Sequence, residues 1–284
     1  MDSAVAVMKR LGIEWTEITK ASCTGAGVLQ EKDVKLGDTL NVRTFALAEK
    51  MGLTTILVLC STCQGVMSQA NARVTRDPEY LAQVNSHLKE ERLEYKGTVK
   101  VKHLLWAVIE DIGIDKLKQT FQHELTNLNL APFYGCYIVR PSDVLGFGEN
   151  PQRQTSLETV IASTGANVVD FDGKNKCCGL PILYINQQNA LKMVSNHTGT
   201  AQDAGADAMV TPCPLCHLNL DGYQPKARRT NRKGDAETLP ILHLPQLLGL
   251  AMGIAPKELG LQRHMVSTSG LIKKAAPKPV GVPQ

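Results

Sequence analysis

The chain carries the same short text twice, and that duplication limits its possible folds more than any other feature. Thr54 to Cys60 is an apolar run that leads into Cys60-Ser-Thr-Cys63, and Asp207 to Cys213 is another that leads into Cys213-Pro-Leu-Cys216. Downstream of each, a histidine opens an apolar stretch at helical spacing, His103 before Leu104 to Ile109 and His243 before Leu244 to Gly249. Upstream, Cys23 precedes Cys60 by 37 positions and Cys178 precedes Cys213 by 35. Three landmarks in one order, given twice, imply two homologous halves that meet near residue 130. We therefore expect a half over residues 1–129, a second over 130–262 and a flexible tail over 263–284, where Ser, Gly, Lys, Ala and Pro leave few large apolar groups to pack.

Within each half, helical and extended patterns alternate. Helices are expected over 5–11, 156–163 and 186–204, and extended segments over 13–18, 166–171 and 207–210. Alternation of this kind predicts an α/β fold in which each half has a small, mostly parallel sheet flanked by helices. Parallel sheets collect ligands beyond the carboxyl ends of their strands, and Cys136, Cys177, Cys213 and Cys216 all lie in or after extended segments.

Composition narrows the function. At 284 residues and 43% hydrophobic content the chain builds real cores. A net charge of +4 is thinly spread, and the basic cluster 226–233 reads as a loop, which argues against nucleic acid. No run reaches the roughly 20 apolar residues that span a bilayer, and the first ten residues lack a signal-peptide pattern, so a cytoplasmic protein without a membrane span of its own is expected, associated with a membrane only through partners. Eight cysteines in such a chain point to metal or redox chemistry, because disulfide frameworks belong to small secreted domains.

In the second half the order is Cys136, then Cys177-Cys178-Gly179, then Cys213-Pro-Leu-Cys216. Five thiolates are one more than a tetrahedral zinc site uses. Soft thiolate ligands suit iron-sulfur clusters, zinc or Cu(I), and five around one centre favour a multi-iron cluster, with zinc as the alternative. Three cysteines remain in the first half, Cys23, Cys60 and Cys63, which either hold a second cluster, bind zinc with an outside ligand, or bind nothing.

These residues resemble the cysteine-rich CCG domain of the heterodisulfide reductase B-subunit family, whose pattern is Cys, then Cys-Cys-Gly, then Cys-x-x-Cys. The resemblance implies a noncubane [4Fe-4S] cluster on Cys136, Cys177, Cys178, Cys213 and Cys216, at which a disulfide is cleaved or formed, with Cys177 and Cys178 at the reacting centre. It also implies a ferredoxin-like iron-sulfur C subunit and a flavin-binding A subunit as partners. The related alternative is an electron-relay subunit of a succinate dehydrogenase or 2-hydroxy-acid oxidase type complex that passes electrons to quinone. The first half departs from the pattern: Ser22-Cys23-Thr24-Gly25 stands where the family has Cys-Cys-Gly, and the lone preceding cysteine has no counterpart, so this half reads as degenerate or N-terminally truncated.

His217 directly follows Cys216 and is the candidate acid for a substrate sulfur; the alternative is a first-turn residue that hydrogen-bonds the backbone. His103 and His243, at matching places before apolar helices, read as caps or core hydrogen-bonders. Gly25-Ala-Gly27 lacks a phosphate-loop lysine, which excludes nucleotide binding.

Overall fold

The structure is a computed structural model and describes residues 2–230 and 238–276. It divides into two compact units that interleave along the chain: one takes the residues up to Glu14, Val108–Gly135 and the chain from Thr155 onward, the other Trp15–Ala107 and Cys136–Gln154. Neither unit coincides with a half as read from the repeat, because each borrows a segment across residue 130.

In the Trp15–Ala107 unit, β1 (Thr55–Val58) and β2 (Lys100–His103) pair in parallel, with Ile56 opposite Val101. Three helices, Val34–Lys50, Ser61–Arg76 and Pro78–Leu88, pack around them. Asp33 and Asp77 start two of these helices by accepting the amide protons of Leu36 and Tyr80, and Pro78 needs no partner for the amide proton it lacks. The apolar faces meet in a core of Val42, Phe45, Val58, Met67, Val74, Val84 and Tyr95. Segment 13–18, expected to be extended, forms no strand: a strand exists only by pairing, and no neighbour pairs with it among the described residues. Tyr137 seats against two glycines. A Cβ on Gly27 would overlap its hydroxyl oxygen, and one on Gly65 would overlap its carbonyl oxygen.

The other unit has a fully parallel four-stranded sheet in the order β4-β3-β5-β6, with β3 Asn129–Pro132, β4 Asn167–Val168, β5 Ala208–Thr211 and β6 Ile241–His243. Every residue of β5 is buried, as expected for a central parallel strand covered on both faces. The crossovers run through the helices Ser156–Ser163 and Gln187–Asp203, close to the expected spans; the extended run expected over 166–171 contracts to the two residues of β4. Gln224–Thr230 is a helix rather than the expected loop, because Ala227 is buried and Arg228 donates to Gln202 on the Gln187 helix; residues 231–233 of the basic cluster lie outside the described residues. From the segment expected to be a flexible tail, Val266 and Leu271 are buried and Ser269–Ala275 is helical; residues 277–284 lie outside the described residues. Asp2–Arg10 packs on the helix Leu244–Ala251, so an element of the first half completes this unit.

His103 and His243 are structural. The His103 ring accepts the Leu105 amide proton at 3.0 Å, and His243 forms a reciprocal cap with Gln246, whose Oε1 accepts the His243 amide proton at 2.9 Å.

One buried charge organises the Trp15–Ala107 unit. Asp38 is 0% exposed and is held by the Arg73 guanidinium at 2.8 and 2.5 Å and by the Tyr80 hydroxyl at 2.9 Å. Burial of the phenol and the carboxylate beside it push the Tyr80 pKa up to about 12, burial contributing most. Removing the cation leaves a buried carboxylate without its counter-charge, so Arg73→Met is expected to cost about 3 kcal/mol in denaturant unfolding, whereas replacing the exposed Arg76 should cost under ~1 kcal/mol.

Candidate metal centre

Four thiols come together at the carboxyl edge of the four-stranded sheet. Strand β5 delivers the chain to Cys213, which stands just before the helix Pro214–Gly222, and Cys216 lies in that helix's first turn. The Cys177-Cys178-Gly179 loop reaches them from the other crossover. Cys178 bonds to Cys177 on one side and Cys216 on the other, and Cys216 bonds in turn to Cys213. The result is a row in the order Cys177, Cys178, Cys216, Cys213. Cys178, Cys213 and Cys216 are buried, and Cys177 is half-buried at one end.

Contacts from several elements hold the row. The amide protons of Tyr134 and Gly135, just past β3, both point to the Lys174 carbonyl, at 2.8 and 3.3 Å. Gly135 has φ 74°, and a Cβ there would lie 2.8 Å from the Cys216 sulfur, so only glycine leaves that thiol its place. Gly179 has φ 95° and lies so close to the Gln187 helix that a Cβ would meet the Ala190 carbonyl oxygen at 3.2 Å. His197, on the same helix, donates from Nε2 to the Cys177 carbonyl at 2.9 Å; burial lowers its pKa, which keeps the ring neutral and makes Nε2 the protonated nitrogen.

Crowding four thiols makes ionisation costly. The Cys178 pKa is pushed up to about 12, chiefly by its bond to Cys177 with burial adding, and Cys216 is raised by its bonds to Cys178 and Cys213 and by burial. Like charges this close cannot coexist without a cation among them. The donor set, all thiols on preformed loops with helix amide groups beside them, fits a soft, multiply charged metal group. Among the described residues no group of three or more His, Cys, Asp and Glu side chains is set out as a ligand set for a single ion.

Cys136 directly follows Gly135 and is half-buried; it is the first residue of the segment Cys136–Gln154. In the first half, Cys23 is exposed, Cys60 stands just before the helix Ser61–Arg76 as Cys213 stands before its own helix, and Cys63 is half-buried in the first turn. The geometry revises how the repeat is aligned. The Gly25 amide donates to Cys23 Sγ at 3.5 Å, as the Gly179 amide donates to Cys177 Sγ at 3.4 Å, and Gly25 and Gly179 both have positive φ. The Thr24 hydroxyl lies 3.5 Å from Cys63 Sγ, as Cys178 meets Cys216. Cys23 therefore matches Cys177, not Cys178, and Thr24 occupies the place of the second cysteine. The spacing agrees: Cys23 precedes Cys60 by 37 positions and Cys177 precedes Cys213 by 36, against 35 for Cys178.

The contacts of His217 lie with the fold behind the thiols. Its ring bonds to the Ile241 carbonyl and meets the His264 ring edge-on at 4.7 Å, while Nε2 is buried without a partner among the described residues. Asp221 fixes the same corner, accepting the amide protons of Met265 and Val266 at 2.7 and 3.1 Å. Asn219, which reads from the sequence as a local cap or orienting residue, donates from Nδ2 to the Cys178 carbonyl at 2.7 Å, whereas His264 carries no motif that would mark it.

The family model of the cysteine-rich CCG domain matches residues 1–68 and 130–221. The 8-methylmenaquinol:fumarate reductase membrane anchor subunit of Wolinella succinogenes is 39% identical over 95% of this chain and 92% of its own length. The B subunit of the ferredoxin/F(420)H(2)-dependent CoB-CoM heterodisulfide reductase of Methanosarcina acetivorans is 34% identical over 94% of this chain and 88% of its own. A crystal structure of a hypothetical protein from Helicobacter pylori shares the fold, with TM-score 0.78 at 18% identity over 95% of this chain; the chain spans about half, 49%, of that one. No helix among the described residues is long and apolar enough to cross a membrane.

The His264 side chain is 2% exposed, and burial first, then the neighbouring His217, lower its pKa to about 4, against a smaller opposing effect of Asp221. A folded value below the unfolded ~6.5 means the unfolded chain takes up the proton first, so stability present above pH ~6.5 is lost as pH falls toward 4. Denaturant unfolding at pH 7 and 4.5 should show a loss of up to about 3 kcal/mol that shrinks in His264→Gln.

Proposed function

We infer, from the premise that this chain belongs to the heterodisulfide reductase B-subunit family of cysteine-rich CCG-domain proteins, that Cys136, Cys177, Cys178, Cys213 and Cys216 hold a noncubane [4Fe-4S] cluster at which a disulfide or thiol sulfur reacts. Proteins of this kind serve as iron-sulfur electron-transfer subunits inside multi-subunit reductases. The observation that carries the finer reading is the row of thiols with three members buried and one, Cys177, half-exposed at its end. Such a row seals a metal group from water on one side and leaves one edge open to a substrate sulfur.

When bound, the cluster supplies single-electron steps and a metal site for sulfur, which a plain dithiol lacks. The chain's own residues do the rest. Cys213 and Cys216 hold sulfur at a helix start, where the backbone amide groups favour negative charge. Gly135 and Gly179 leave room for the thiols, and Cys177 forms the substrate-facing end with the buried Cys178 directly behind it. His217, by its contacts, supports the fold behind the site rather than the reacting sulfur. In the first half, Cys23, Cys60 and Cys63 with the Thr24 hydroxyl make a reduced version of the same set, suited to a second cluster or to zinc. The two halves, 1–129 and 130–262, are read as one duplicated ancestor. Partners of the ferredoxin-like C and flavin-binding A kinds deliver electrons, at the cytoplasmic side, with membrane contact made through them.

The name of the Wolinella succinogenes relative favours a second reading, a relay that passes electrons between a quinol pool and a succinate dehydrogenase type complex. EPR of mildly oxidised, anaerobically purified protein separates the two. A small thiol should change the cluster signal, and Cys177→Ser should weaken that change several-fold while most of the iron stays bound. A signal indifferent to thiols, from protein that a menaquinol analogue reduces, would replace the sulfur reading with the relay.

A further inference from the structure

Both Cys-x-Gly turns are gripped in the same unusual way. In one unit, Asn219 donates from Nδ2 to the carbonyl of Cys178, the middle residue of its turn, at 2.7 Å. In the other, the Asn41 Nδ2 group donates to the Gly37 carbonyl on its own helix at 2.7 Å and also to the carbonyl of Thr24, the middle residue of its own turn, at 3.4 Å. The two asparagines are not repeat equivalents: Asn219 lies on the helix after the Cys-x-x-Cys, and Asn41 lies on the helix before β1. Asn219 is 0% exposed and Asn41 2%, and in each the side-chain oxygen is buried without a partner among the described residues. A buried amide with one end unsatisfied is a poor way to gain stability, since the unpaired oxygen keeps its full desolvation penalty. The two halves have thus reached the same arrangement from different helices, at a cost.

The peptide that each asparagine holds explains what is gained. In a trans peptide the carbonyl and the N–H point in opposite directions. The peptide whose carbonyl is that of Cys178 has the Gly179 amide as its N–H, and that amide donates to Cys177 Sγ at 3.4 Å. The peptide of Thr24 likewise has the Gly25 amide, which donates to Cys23 Sγ at 3.5 Å. Holding the carbonyl from behind turns the N–H toward the sulfur, and a hydrogen bond at the oxygen also polarises the amide and strengthens the bond it donates. Hydrogen bonds to cluster sulfurs are one of the levers on reduction potential.

We propose that Asn219 and Asn41 are positioning residues that aim the Gly179 and Gly25 amides at the sulfurs of Cys177 and Cys23, and so set the electron affinity of whatever metal group those sulfurs hold. The potential in this proposal rests on the cluster reading above; the aiming of the amides does not.

The test uses the full-length protein purified anaerobically, as wild type, Asn219→Leu, Asn219→Gln and Asn41→Leu. Amide exchange is followed by mass spectrometry on peptides that contain Gly179 and Gly25, and the cluster midpoint potential is measured on the same samples. Asn219→Leu should speed exchange at Gly179 about tenfold, leave Gly25 unchanged, and make reduction about tenfold less favourable, ~59 mV for one electron. Asn219→Gln, which keeps a donor, should recover much of both effects, and Asn41→Leu should speed Gly25 alone. A variant that merely loosened the fold would move both turns together. Wild-type exchange at Gly179 in Asn219→Leu and at Gly25 in Asn41→Leu would overturn the proposal, as would equal acceleration at both sites in either variant. Should Asn219→Leu fail to fold, Asn41→Leu and Asn219→Gln decide it. If the wild type carries no iron-sulfur cluster the parent reading fails, and exchange alone still decides whether the asparagines aim the amides.

Discussion

Sulfur packed against sulfur is the constraint on which the site depends. Cys177, Cys178, Cys216 and Cys213 form a continuous row in which Cys178 resists ionisation beside Cys177, and Cys216 resists it between Cys178 and Cys213. Such a row is of little use to a fold as such, since four small groups contribute little more than alanines would and bring a penalty for any charge they acquire. It makes sense around a cation that takes the charge, and the surrounding structure serves that end. β3 leads on to Gly135, which has no side chain to strike Cys216; β5 ends at Thr211, two residues before Cys213; and Gly179, at positive φ, lies close against the Gln187 helix.

The helices and strands of the second half were legible because apolar runs and turn residues there agree with one another. Ser156–Ser163 and Gln187–Asp203 fall close to where their spacing puts them, and β5 follows its apolar run. The failures have physical causes. Segment 13–18 carries a strand-like pattern, but pattern cannot provide a neighbour to pair with. Segment 263–276 is poor in large apolar groups, yet two of the few it has, Val266 and Leu271, are buried, and the Met265 and Val266 amides tie to Asp221.

Of the candidate site, the cysteines were legible as residue types at telling intervals, and four of the five in the second half form the row. What escaped was second-rank geometry. That Thr24 takes the second cysteine's place is fixed by the Gly25 amide and the Cys63 contact, set beside their counterparts. His217 invites a catalytic role from its position next to Cys216, but helix geometry turns neighbouring residues to different sides, and its ring lies against His264. His197 acts through a backbone carbonyl, a contact that leaves no motif, and the reach of Asn219 to the Cys178 carbonyl, 41 positions away, is likewise absent from the sequence.

The relatives divide between a heterodisulfide reductase subunit and a quinol:fumarate reductase subunit. The proposed function requires an iron-sulfur cluster at the thiol row. The most direct measurement is iron, acid-labile sulfide and zinc counted in one sample of anaerobically purified protein. About four irons with as many sulfides per chain, lost together in Cys213→Ser, is the expected result. Zinc at about one per chain without labile sulfide would contradict it and leave the thiol row a structural metal site.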